Sequence, residues 1–337
     1  MELGFENILV IRYGTIGDTV WSTAFYRELR RACPNAKIDA LVDNISKAVL
    51  EGCPYIDELV PLLGGYELFN SIKYISLFKK YDTIFFLKND KKFTTLASLA
   101  RVKNRIGFDV RRNKNLTVKV PYKSDKHERD FYLDLLKVFG INPVETHTEL
   151  WLKDENINSA KQYFNKNATK HVVLQCYSRL KEKNWINRYW AEVITHLSNE
   201  LECQVYYLGG KKEVGKYKKI EKLLSKDLKI KPINLCGQMS IQKSIAFVKQ
   251  ADLLIGIDSG LLHVAANFDV PSILLNGPTS ITHWRPLSEQ CSILSMNFSC
   301  SPCMLESSRK KFCQFRTSKC MFALKPEKVT CEIKKKL

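Results

Sequence analysis

Four short segments combine turn-forming residues with groups able to hold anions or move protons. The first is Gly14-Thr15-Ile16-Gly17-Asp18. Gly14 and Gly17 let the backbone turn tightly and approach a ligand. Asp18 stands where a helix begins. It can cap that helix, a role worth about 1 kcal/mol, or serve as a carboxylate general base aimed into a crevice. The second segment is Asp258-Ser259-Gly260-Leu261-Leu262-His263. A polar turn entering a helix offers free backbone amides and the positive end of the helix dipole, an anion site suited to a diphosphate. Gly260 leaves room for phosphate oxygens, Ser259 can cap the helix or bind a ligand, and His263 returns one turn later on the same face. The third is Gly277-Pro278-Thr279, a turn directly after the run SILLN. The fourth is Lys183-Asn184-Trp185, whose lysine can neutralise charge on a departing phosphate. Glu213, just past Gly209-Gly210, can accept sugar hydroxyls or simply face solvent.

Such residues work only if strands and helices bring them to one edge of a sheet. The run Asn7–Tyr13 reads as a buried strand, and Val20, Trp21, Ala24, Phe25, Leu29 and Ala32 then recur at helical spacing. Lys37–Val42 and Tyr81–Leu87 read as further strands, and Lys123–Gly140 as a helix. After residue 170 the alternation repeats: strands at His171–Gln175, Gln204–Leu208, Asp252–Ile257 and Ser272–Leu275, with helices between them. Repeated βα units predict parallel sheets covered by helices on both faces, with ligands held beyond the carboxyl ends of the strands. Two blocks of similar length predict an α/β chain of two Rossmann-like domains facing a central cleft. The expected divisions are 1–160, 161–322 and a closing helix in 323–337, the last opened by Pro326.

Composition narrows the function classes. The chain has 337 residues, 45% hydrophobic and 26% charged, which excludes disordered and collagen-like classes. No apolar run approaches the roughly 20 residues of a membrane span. The opening MELGFENILVIRYG goes directly into a strand-like run and then meets Arg12, so it does not read as a secretory signal. A cytoplasmic chain is therefore expected, its eleven cysteines largely reduced. Four of them, Cys300, Cys303, Cys313 and Cys320, combine one CxxC with two later cysteines. They can make a structural zinc or iron site, or remain free thiols. The net charge of +18 suits a polyanionic partner or a solvated lysine-rich surface. It is uneven: residues 79–129 alone hold 15 Lys/Arg against 5 Asp/Glu. A nucleic-acid-binding protein is the alternative from another class, but no helix-turn-helix, zinc-finger or RNP-type signature accompanies the charge.

Taken together, the segments resemble glycosyltransferase family 9, the ADP-heptose:lipopolysaccharide heptosyltransferases. ILVIRYGTIGDTVWSTAFYRELRRACPNAKIDALV is similar to the family's N-terminal signature, GIDSGLLHVAANFDVPSILLNGPTS to its C-terminal motifs, and CSPCMLESSRKKFCQFRTSKCMFALKPEKV to the cysteine-bearing end of many members that add a second heptose. The resemblance implies a GT-B fold, with an acceptor domain first, a nucleotide-sugar domain second, and an inverting mechanism that needs no metal for catalysis. It implies Asp18 as general base beside an acceptor-side loop of Gly14, Thr15 and Gly17. Lys183 becomes the residue that stabilises the leaving group, and Asp258, Ser259, Gly260, His263, Gly277, Pro278 and Thr279 the donor site, with Glu213 a looser match. The implied partners are an ADP-sugar and an anionic lipid A-core acceptor at the cytoplasmic face of the inner membrane, with peripheral membrane contact and no nucleic acid. Cys176-Tyr177-Ser178-Arg179 departs from the family's usual small loop. Another nucleotide sugar or a protein acceptor therefore stays open.

Overall fold

Apolar runs of four to six residues punctuated by polar turns give two parallel sheets. The computed structural model describes residues 4–63, 68–110, 112–122, 126–304, 313 and 318–337. The chain divides into two units, Met1–Trp151 and Leu152–Leu337. In the first, β1 (Asn7–Ile11), α1 (Ile16–Ala32), β2 (Lys37–Val42), α2 (Asn44–Leu50) and β3 (Glu58–Pro61) come first. Then follow α3 (Leu68–Phe78), β4 (Thr83–Phe86), α4 (Lys91–Leu99), β5 (Asn104–Phe108), β6 (Val118–Val120) and α5 (Glu128–Lys137). The strand order is β3-β2-β1-β4-β5-β6, every pair parallel. This is the doubly wound order, with its direction reversing between β1 and β4. Leu9, Ile11, Ile84 and Phe86 of the sheet pack with Tyr74 and Phe78 of α3 and Phe93, Leu96 and Ala97 of α4.

The second unit repeats the plan. Its elements are α6 (Asp154–Lys161), β7 (His171–Gln175), α7 (Asn187–Asn199), β8 (Gln204–Tyr207), α8 (Val214–Glu221), β9 (Ile233–Asn234), α9 (Ile241–Lys249) and β10 (Leu253–Ile257). They continue with α10 (Gly260–Asn267), β11 (Ser272–Asn276), α11 (Ile281–Trp284), β12 (Cys291–Ser295), α12 (Lys319–Ala323) and α13 (Pro326–Lys336). The sheet runs β12-β11-β10-β7-β8-β9, again all parallel, so its reversal falls between β7 and β10. Val172, Leu174, Ile255, Ile257 and Ile273 meet Trp190, Val193, Ile194 and Leu197 of α7 in its core. Among the described residues, no helix is long and apolar enough to cross a membrane.

Two boundaries differ from the sequence expectation. The units part after Trp151 rather than at 160, because α6 packs on α9 and Phe164 stacks on Phe247 at 4.1 Å. A cut at 160 would split α6. The C-terminal helix is not a separate piece either: α13 buries Val329 and Ile333 in the core of the second unit, against α7 and the sheet. Within the first unit, α1 starts at Ile16, four residues before the apolar periodicity, because Thr15 caps it. The helix expected over Lys123–Gly140 is α5, Glu128–Lys137, and residues 123–125 lie outside the described ones.

Candidate active site

In the first unit the chemistry collects at the carboxyl ends of β1 and β4, on either side of the reversal. Gly14 has φ +129, a conformation open to glycine but rarely to other residues, and it turns the chain from β1 into α1. Thr15 is the N-cap, its hydroxyl accepting the amide of Asp18 at 3.4 Å. Asp18 is therefore not the helix cap that its position had allowed; it lies within the first turn, with its carboxylate ion-paired to Arg12 and about a third exposed. Arg12 itself is 3% exposed. Burial pulls the guanidinium's proton affinity down, but Tyr132, Asp18 and Glu128 more than offset this, and Arg12 stays charged. Gly17 is buried within the same helix turn.

Lys88, which the sequence reading did not single out, enters from the end of β4. Its Nζ lies over the Tyr13 ring, 3.7 Å from the centroid, and 3.5 Å from the Tyr13 carbonyl. A Cβ on Gly14 would make only ordinary contact with the same nitrogen, at 3.5 Å, so the positive φ and not crowding is what calls for glycine here. Among the described residues no carboxylate lies within ion-pair distance of it. Burial, then the Arg12 charge, press the ammonium below its usual range, against the pull of Asp90, Asp18 and Asp43. Asp90 and Asp43 are themselves occupied as caps of α4 and α2. The sequence signal for Lys88 was available: it directly follows the strand at the reversal, where ligand-facing loops belong.

The second unit builds its cluster across β7 and β10. Lys183 closes a 3-10 turn, Lys181–Lys183, after β7, and its Nζ is 2.7 Å from Asp258 Oδ2 at the end of β10. The turn is anchored because the Trp185 indole N–H donates to the Leu324 carbonyl at 2.9 Å and Asn184 Oδ1 accepts the Ser178 amide at 2.8 Å. His263 Nε2 lies 4.0 Å from the other Asp258 oxygen, one turn into α10. Ser259 occupies the N-cap position of α10 without capping it; its hydroxyl points at Gln175 Oε1. Gln175 also accepts the Leu261 amide at 3.3 Å, so β7 supplies the cap that Ser259 was expected to give. The early amides of α10 and the Lys183 ammonium thus meet at one strand end, with Gly260 adding no side chain.

The remaining candidates divide. Glu213 ends a second 3-10 turn, Lys211–Glu213, where Oε2 accepts the Gly210 amide at 3.0 Å. Burial raises its pKa, with the Gly210 amide and Lys216 pulling the other way. Gly209 has no room for a Cβ beside that carboxylate. The Thr279 hydroxyl donates to Asn276 Oδ1 at 2.6 Å and the residue is 3% exposed, so it shapes the turn after β11 instead of presenting a ligand group. Pro278 offers its carbonyl to the amides of Cys303 and Met304 at 3.0 and 2.9 Å. A Cβ on Gly277 would fall 2.5 Å from Met321 Sδ and 2.8 Å from Cys320 Sγ. The cysteine-bearing tail therefore braces this turn. No disulfide joins Cys300, Cys303, Cys313 or Cys320, and among the described residues no group of three or more His, Cys, Asp or Glu is arranged to hold a metal ion. The expected structural zinc or iron site has no support; residues 305–312 and 314–317 of the tail lie outside the described ones.

Comparison with known proteins identifies the family and the fold. The family model described as glycosyltransferase family 9 (heptosyltransferase) matches residues 75–313. A lipooligosaccharide heptosyltransferase 2 of Campylobacter jejuni subsp. jejuni serotype O:6 is 26% identical, over 98% of this chain and 90% of the relative. The solved structure of E. coli ADP-heptose lps heptosyltransferase II superposes with a TM-score of 0.79 at 21% identity, covering 98% of each chain. A glycosyl transferase family 9 structure from Veillonella parvula gives 0.76 at 22% identity, covering 87% of each. The structural likeness shows the fold, two Rossmann-like units of the GT-B class.

Proposed function

The chain belongs to glycosyltransferase family 9, the heptosyltransferases, and from that premise we propose that it moves a heptose from ADP-heptose to the lipopolysaccharide inner core with inversion at the anomeric carbon. The observation that carries this is the position of Asp18 in one unit and of the Lys183–Asp258 pair in the other. Each lies at the carboxyl ends of the strands flanking its sheet's reversal, where such sheets hold ligands.

The first unit then takes the acceptor and the second the nucleotide sugar. The acceptor hydroxyl attacks the anomeric carbon and gives its proton to the Asp18 carboxylate, while the bond from that carbon to the diphosphate oxygen breaks. Charge builds on the sugar ring as an oxocarbenium-like state and on the departing diphosphate. Lys183 and the first amides of α10 take up the diphosphate charge, so the step is written without a metal. Arg12 fixes the direction of the Asp18 carboxylate, and Asp258 with His263 holds Lys183 in place until donor enters. Lys88 faces acidic groups of the acceptor. A lipid A-core acceptor is membrane-borne, which implies work against the anionic cytoplasmic face of the inner membrane, and the basic stretch 79–129 suits that surface.

The test is a transfer assay with ADP-heptose and a deacylated Kdo- and heptose-bearing acceptor, read as ADP release and product mass. ADP-, UDP- and GDP-hexoses compete in parallel. Turnover with ADP-heptose alone is expected; turnover with a different donor and none with ADP-heptose would overturn the substrate assignment.

A further inference from the structure

We propose that the outward face of α3 and α4 is the surface by which this enzyme docks on an anionic lipid bilayer. The proposal deepens the functional reading above, resting on its membrane-borne acceptor. The two helices lie side by side over one face of the first sheet, joined by Tyr74 against Phe93 at 4.9 Å and Phe78 against Phe93 at 6.1 Å. With Tyr74, Phe78, Phe93, Leu96 and Ala97 turned into the core, the opposite faces are left to solvent.

Those faces carry two features together. Ile72 is 59% exposed near the start of α3 and Leu99 62% exposed at the end of α4. Around them stand exposed cations, Lys79, Lys80, Lys91, Arg101 and Lys103, none of which forms an ion pair among the described residues. The segment 70–103 has only two acids, Asp82 and Asp90, and both are drawn away from this surface. Asp82 accepts the amides of Glu6 and Asn7, at 3.1 and 2.6 Å. Asp90 caps α4 and takes the Tyr13 hydroxyl. Among the described residues of 70–103 the face is thus positive without a counter-charge of its own, and it bears an aliphatic side chain at each end. Anionic headgroups complement the cations, and the acyl boundary accepts Ile72 and Leu99.

The experiment is co-sedimentation of the full chain with vesicles of phosphatidylethanolamine, phosphatidylglycerol and cardiolipin, against vesicles of phosphatidylcholine alone. Wild type is expected on the anionic vesicles and free of the neutral ones. Each cation lost is expected to cost about fivefold in partitioning, so the K79E/K80E/K91E/R101E variant should fall well over tenfold. I72S/L99S should lose roughly tenfold while keeping its salt dependence. Both variants are expected to transfer sugar to the soluble deacylated acceptor at the wild-type rate. Wild type that ignores anionic vesicles, or a charge-reversed variant that binds them unchanged, would overturn the surface. So would equally tight binding of duplex DNA lost in the same variant. Vesicle binding lost in the variants, with no transfer by wild type to the soluble acceptor, would uphold the surface and sink the substrate assignment.

Discussion

Lys183 and Asp258 are 75 residues apart in sequence and 2.7 Å apart in space, and they tie the ends of two neighbouring strands, β7 and β10. Both side chains are mostly buried, at 17% and 10% exposure. Asp258 is thus the resident counter-ion of a lysine that the proposed mechanism needs for the diphosphate. Lys183→Ala is expected to weaken donor binding about tenfold to a hundredfold and to lower kcat as well, since the lost charge acts on the leaving group. Titration calorimetry with ADP and steady-state kinetics read the two effects separately. Unchanged ADP affinity would remove Lys183 from the donor site.

Asp18 poses a different problem, because its partner Arg12 is buried. Asp18→Ala leaves a guanidinium without its counter-ion, and loss of transfer could then reflect a damaged fold. Asp18→Asn also lacks the charge but keeps the shape and an acceptor oxygen for the Arg12 guanidinium, and it removes the base. It is expected to lower kcat by about a thousandfold, with ADP binding and the far-ultraviolet dichroism unchanged. Turnover retained within tenfold would eliminate Asp18 as the base.

Much of this site could be read in the sequence, for a simple reason. Strand ends at the reversal of a parallel sheet carry glycines and polar turns after strongly apolar runs, as with NILVI before Gly14 and LLIGI before Asp258. Local pattern therefore puts Asp18, Asp258 and His263 just past strand ends, where the fold has them. It did not reveal β3, β5, β6, β9 or β12, because these short strands set few apolar residues among polar or charged ones and depend on a neighbour for pairing. Local pattern failed also where one element serves another. Gln175 caps α10 from β7, and Asp18 is occupied by Arg12 rather than by its own helix end. Such roles belong to the register of the sheet, not to spacing along the chain.

Lys88 gives a prediction with a sign in pH. Its pKa is depressed in the folded chain, so between that value and the ordinary lysine value of about 10.4 the unfolded chain holds more protons. Stability then rises with pH across this window, and below it the cost of the buried charge is fully present. Lys88→Met should therefore raise the melting temperature at neutral pH, with the gain shrinking as the pH climbs toward the unfolded value. The same variant should raise KM for an acidic acceptor about tenfold while leaving ADP affinity alone. A variant that is both less stable at pH 7 and unaltered in KM would assign Lys88 a purely structural part.

Gly277 tests whether the tail holds the donor-side turn. An added Cβ meets Met321 Sδ and Cys320 Sγ at distances no real contact shows, and the Pro278 carbonyl is already committed to two amides of the tail. Gly277→Ala must push either the turn or α12, at a cost of about 1–3 kcal/mol for an overpacked site. Met321 is 1% exposed, so Met321→Ala alone also destabilises, by about 2–4 kcal/mol. Because the new methyl would enter the space that the methionine vacates, the double variant should be more stable than the sum of the two losses by at least about 1 kcal/mol. Denaturant unfolding of the four proteins gives this coupling directly. Donor KM should follow the same order: raised in Gly277→Ala, and partly restored when Met321→Ala is added. Simple additivity in stability, with donor KM unmoved throughout, would show that the tail packs beneath the turn without setting its position.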